Sequence, residues 1–176
     1  MTDKLQNTRA LSEHILSALQ AREPRINWQL YPDVQTLRGT KLPLAHLELQ
    51  SFDLAPKITT DINTVECTFA LRLLFNDTPL GQMNIRDAAL AISTFIDGNY
   101  FKSEQLEAAQ VIANQQDFFA PEIDGYISWE ILFLIRFYYG DSVYEENGVS
   151  PEVEIDVNNN IVFNSAPEKP STTIPR

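Results

Sequence analysis

Residues 127–139 read as a single β-strand with two usable faces. Strand side chains alternate, so Ile127, Trp129, Ile131, Phe133, Ile135, Phe137 and Tyr139 form an unbroken apolar row. Ser128, Glu130, Leu132, Leu134, Arg136 and Tyr138 face the other way, polar at the ends and apolar in the middle. Thirteen residues at about 3.3 Å each span roughly 43 Å, where strands usually run to about 5–6 residues. A compact chain of 176 residues has a diameter of about 40 Å. This strand therefore crosses the whole molecule. A lone two-layer domain would leave its second face wet, so either residues 143–165 fold over that face or another copy covers it.

The remaining periodicities build a sheet around this strand. Residues 5–22 carry Leu11, Ile15, Ala18 and Leu19 in one helical stripe, with Thr2 or Asp3 as cap and Pro24 as stop. Residues 25–31 are a short extended segment, and Pro32-Asp33 turns the chain. Residues 42–54 read as a strand with Leu47 and Leu49 on one face and His46, Glu48, Gln50 and Phe52 on the other. Residues 61–75 are a second long strand. Its core row is Val65, Cys67, Phe69, Leu71, Leu73 and Phe75, and Glu66, Thr68, Ala70, Arg72 and Leu74 face away.

Asn76 to Gly81 is a turn cluster. Residues 84–97 form a second helix, with Ile85, Ala88, Ala89, Ile92, Phe95 and Ile96 on its stripe and Gly98 closing it. Residues 107–118 have helical composition, yet Ala109, Val111 and Ala113 alternate with polar or outward positions. The following strand also needs a partner, so they are read as a strand. The chain then turns at 120–125.

The order α-β-β-α-β-β predicts an α+β fold, a mainly antiparallel four-stranded sheet with two helices packed on one face. Residues 1–158 make the domain, with an acidic C-terminal extension. A short strand is expected near 152–157, and 159–176 is expected to be a disordered tail.

Charge and composition exclude several functions. With 13 basic and 24 acidic residues the net charge is −11, and residues 141–176 contribute −5 of it. Such a surface repels phosphate, so tight nucleic-acid binding is not expected. The lone Cys67 sits on the core row of a strand, as a structural thiol would. One cysteine allows no intrachain disulfide and fits a reducing compartment. No signal peptide and no membrane span are read, which places the chain in the cytoplasm.

His14 and His46 have no metal-ligand or triad spacing around them and read as ordinary surface or interface histidines. The acids at 145, 146, 152, 154 and 156 do not match a calcium loop and read as a solvated face or docking strip. No phosphate loop or nucleophile elbow occurs. No cofactor or metal is expected, and the chain is not expected to be an enzyme.

Several segments carry a resemblance. They are the opening amphipathic helix, the run from Asn27-Trp28 to Pro32-Asp33, the run from Phe118-Phe119 to Asp124-Gly125, Trp129 to Phe133, and the exit Tyr139-Gly140-Asp141-Ser142. Together, over residues 5–158, the chain resembles the tail-terminator (tail-completion) proteins of long-tailed phages and prophages, the lambda protein U-like minor tail proteins. It is longer than the lambda-type member through its acidic extension.

The resemblance implies a structural subunit of a homo-oligomeric ring, typically a hexamer, that caps the tail tube and docks to neck or head-completion proteins. It implies assembly in the bacterial host cytoplasm and residence in the virion tail. The ring interface is expected at Leu74, Leu132, Leu134 and Tyr138, the outward apolar set. The alternative is a soluble protein-binding adaptor, monomeric or dimeric, with no tail role.

Overall fold

The computed structural model describes residues 5–31, 41–55, 63–117 and 125–139, together with the backbone of 152–155 and 161–164. The element order is α1 (Thr8–Arg22), β1 (Asn27–Leu30), β2 (Leu44–Ala55), β3 (Asn63–Asn76), α2 (Pro79–Ile96), β4 (Gln110–Gln116), β5 (Tyr126–Tyr139), β6 (Glu152–Ile155) and β7 (Ile161–Asn164). The fold is α+β. The main sheet has five strands rather than four, in the order β1-β2-β3-β5-β4; it is mainly antiparallel and mixed only through the parallel β1.

The extra strand is the extended segment before Pro32. Asn27 to Leu30 run parallel to Leu44 to Leu47. A parallel neighbour needs a long crossover, and residues 31–43 supply one. Trp28 anchors the edge: it is buried, and its indole N–H donates to the carbonyl of Glu23 at 2.8 Å.

The spine is the antiparallel pair β3–β5, in unbroken register from Asn63 opposite Tyr139 to Asn76 opposite Tyr126. Its inner row is the one periodicity marks. Val65, Cys67, Phe69, Leu71, Leu73, Ile131, Phe133, Ile135 and Phe137 are all buried. They form one core with Leu11, Ile15 and Leu19 of α1 and Ile85, Ala89, Ile92 and Ile96 of α2. Ala88, Phe95 and Trp129 pack at the margin of this core. Phe69 and Phe133 stack across the two strands at 5.4 Å between ring centroids, an offset contact that adds to their burial.

Both helices start later or earlier than periodicity suggests, and capping explains each shift. α1 begins at Thr8 because the Asn7 side chain accepts from the Ala10 N–H at 2.8 Å. The expected caps Thr2 and Asp3 lie outside the described residues. Leu5 is not helical; Gln105 holds its backbone from both sides. α2 begins at Pro79, five residues before the expected start. The presumed turn is its cap: Thr78 Oγ1 accepts from Gly81 N–H at 3.0 Å, and Pro79 occupies the first turn. Gly81 is required there, since a Cβ would collide with the Asn76 carbonyl. Gly98, at φ +76°, closes α2 as expected.

β4 is a strand, paired antiparallel with β5. Tertiary pairing overrides the helical composition of its residues. In the extension, β6 pairs with β7 as a separate two-stranded sheet. β7 lies beyond residue 158, inside the stretch expected to be a tail. The connections at 32–40 and 118–124 and the last residues, 165–176, lie outside the described residues.

Candidate interaction surface

The two described helices pack on one face of the sheet. Register defines the other face. It holds Leu44, His46 and Glu48 of β2, then Thr68, Ala70, Arg72 and Leu74 of β3, and Ser128, Glu130, Leu132, Leu134, Arg136 and Tyr138 of β5. Its chemistry falls into bands.

One band is an ionic cluster on Arg72. The guanidinium reaches Glu48 at 2.7 Å, Glu130 at 2.9 Å and Asp117 at 3.2 Å. Strand alternation puts Glu48 and Glu130 on either side of it, one from each neighbouring strand. The planar five-donor fork of arginine can serve all three carboxylates. Ser128 Oγ donates to Asp117 at 3.3 Å.

The second band centres on Arg136, which meets Glu66 at 2.7 Å and Glu107 at 3.7 Å. The hydrogen bond to Glu66 raises the pKa of Arg136 above its ordinary value. Tyr138 donates to Glu107 at 3.0 Å, and that bond raises the phenol's pKa.

Between the two ionic bands lies an apolar bar. Leu132 sits opposite Ala70, and Leu134 opposite Thr68. Both leucines are half-buried, as is Tyr138. Two of the four residues expected at an interface, Leu132 and Leu134, are thus neighbours on β5, and Tyr138 shares their face beyond Arg136. Leu74 shares their face but not their neighbourhood. It pairs with Leu44 and Ser128, beyond the Arg72 cluster, and is only 4% exposed.

His46 is not the surface histidine its polar neighbours suggest. It lies directly across from Arg72, is 7% exposed, and its Nδ1 has no hydrogen-bond partner among the described residues. Burial, then the Arg72 charge, lowers its pKa to about 4, so the ring is neutral at pH 7. His14 has a plain structural contact, Nε2 to the Phe101 carbonyl at 2.8 Å. Cys67 is buried as expected, and burial followed by the Glu66 charge pushes its thiol up to about 12.

Two β-bulges change the assignment of exposed side chains, and strict alternation misses both. Leu49 pairs with Phe69 and Ser51 with Thr68, so Gln50 is the extra residue. Beyond it the faces swap. Phe52 lies across from Cys67 and Leu54 across from Val65, on the helix side rather than beside His46 and Glu48. Both stay open, at 60% and 77% exposed.

In β4, Val111 pairs with Phe133 and Ala113 with Leu132, leaving Ile112 as the extra residue at 51% exposed. Ala113 thereby moves to the outer face, away from Val111. Asn114 turns inward, where it donates to Ser93 Oγ at 2.9 Å and accepts from the Trp129 indole.

A surface groove of about 610 Å³ opens where the end of α1, Leu42–Pro43 and the first half of α2 meet. Its floor includes Ile26 and Phe75. Among the described residues no group of His, Cys, Asp and Glu is arranged to hold a metal ion. Among the described residues no helix is long and apolar enough to cross a membrane. The acidic side chains at 145, 146, 152, 154 and 156 are outside the described residues. No protein-family model matches this chain, and no curated protein matches it.

Proposed function

We propose that this chain is a structural subunit of a phage or prophage tail, a self-assembling ring component of the tail-terminator type rather than an enzyme. The ring, a hexamer by the resemblance, caps the tail tube and offers a docking surface to neck or head-completion proteins. It assembles in the bacterial host cytoplasm and remains in the virion tail.

One observation carries this beyond the resemblance: the outer face of a sheet whose spine crosses the molecule. Its half-buried bar of Leu132 and Leu134 lies between two ionic bands, and neither described helix packs on it. Apolar area rimmed by charge is the anatomy of an association surface. A ring also needs two different patches on each subunit, because its interfaces are heterologous. The acidic balance of the chain suits a pore that DNA passes without sticking.

Negative-stain imaging of the purified chain tests the proposal. Rings with a central hole support it, and single small particles at every concentration reject it.

A further inference from the structure

Among the described residues the main sheet is open at both edges. β1 covers only Leu44 to Leu47 of β2. Among the described residues no strand pairs with residues 48–55 on the side away from β3. The Leu49 N–H on this stretch donates to the Tyr31 hydroxyl at 3.1 Å. The exposed Phe52 and Leu54 stand on this half-strand, which contains neither proline nor lysine, the usual guards of an edge.

The opposite edge is β4, seven residues with no charge and no proline. Its start is capped, since Val111 N–H donates to Asp97 at 3.1 Å and the Ala109 carbonyl accepts from Gly98. Residues 112–116 are left, led by the exposed Ile112. Five residues give about 17 Å of ladder.

We infer that the second half of β2 pairs, strand to strand, with β4 of a neighbouring copy, carrying the sheet from one subunit into the next. This rests on the self-assembly proposed above and adds, to the contact through the outer face, a second one along the sheet edges, the ring requiring both.

Strand direction agrees. β3 runs antiparallel to β2, β5 to β3 and β4 to β5, so β4 runs opposite to β2 within one chain. Copies that follow one another head to tail with their sheet faces aligned keep that relation. The new pair is then antiparallel, and the interface is heterologous, as a ring needs.

Charge selects the occupant. Pairing β2 with a second β2 would bring two copies of Asp53 into one seam, and like charges across a ladder destabilise it. Pairing β4 with β4 would leave Phe52 and Leu54 in water. Only β2 against β4 sets the acidic, apolar-tipped edge against an uncharged one. Main-chain hydrogen bonds then supply the affinity, as in other strand-addition complexes.

The test uses full-length chains with one new cysteine each, Leu54→Cys and Ile112→Cys, and a short bis-maleimide cross-linker. Buried Cys67 provides the unreacted background in the parent chain. Each variant alone should give no linked species. Their mixture should give a band at twice the 20.0 kDa chain mass, and the double variant should give a ladder running beyond it. Linking of Leu54→Cys to itself overturns the inference in favour of a two-fold β2 seam. Absence of linking in a sample that sediments as an oligomer overturns the joint and leaves self-assembly standing. Absence of linking in a sample that sediments as a monomer overturns both.

Discussion

The two faces of β3 and β5 come from the same two strands in the same register, yet they are stabilised by different means. Inward, Val65 to Leu73 and Ile131 to Phe137 form a sealed apolar row with rings stacked across the strands. Outward, apolar and charged bands alternate, and two arginines hold five carboxylates between them. The inner face is stabilised by packing, which is non-directional and tolerant of pH. The outer face depends on ionised groups held in geometry, which costs desolvation and responds to protonation. A sheet can therefore hold its fold through one face while the other remains available for contact.

Three perturbations separate the faces. The largest effect belongs inside: Phe133→Ala should cost about 3–5 kcal/mol from lost transfer energy and the cavity left against Phe69, measured by denaturant unfolding. A loss below about 1 kcal/mol would show that the inner face is not the one that stabilises the fold.

Next is Arg72→Ala on the outer face. Removing the shared guanidinium leaves Glu48, Glu130 and Asp117 facing one another and should cost about 3 kcal/mol near pH 7. Arg72→Met, which keeps most of the alkyl stem, should lose nearly as much. A much smaller loss for Met than for Ala would mean that Arg72 acts through its alkyl packing.

The smallest effect is that of His46. Its pKa in the fold is about 4, against 6.5 as the ordinary value, so the unfolded chain takes up a proton first as pH falls. Stability should be full above pH 6.5 and be lost progressively from there down to about pH 4. The loss by pH 5 is about 2 kcal/mol. His46→Gln should flatten that slope, and an unchanged slope would place the titration elsewhere.

The inner face was legible in the sequence because alternation over β3 and β5 is uninterrupted. Phe69, Leu71, Ile131 and Phe133 all fall where a period of two puts them. The helical stripes of α1 and α2 were legible for the same reason. What periodicity does not encode is a bulge. One extra residue at Gln50 swaps Phe52 and Leu54 to the other side, and one at Ile112 does the same to Ala113 and Asn114. Nor does it encode who pairs with whom. The parallel joining of β1 to β2 spans a crossover, and nothing local in Asn27 to Leu30 announces it.

Caps were misread as turns because Thr78-Pro79 and a glycine serve both purposes. His46 looked exposed beside Glu48, since alternation names the outer face without saying how deeply a residue lies in it. Of the expected interface, Leu132 and Leu134 do lie together, whereas Leu74 is parted from them by the Arg72 network and Tyr138 by the Arg136 network, which only cross-strand register reveals.

Self-association through the outer face is tested most directly by sedimentation equilibrium on the parent chain and on Leu134→Glu. A carboxylate placed in the apolar bar between Thr68 and Gln110 would be desolvated and unpaired in a subunit seam. The parent should sediment at about 120 kDa, six copies of a 20.0 kDa chain. The variant should keep its circular dichroism and sediment at the mass of one chain. A parent that stays monomeric at every concentration, or a folded variant whose assembly is unchanged, would contradict it.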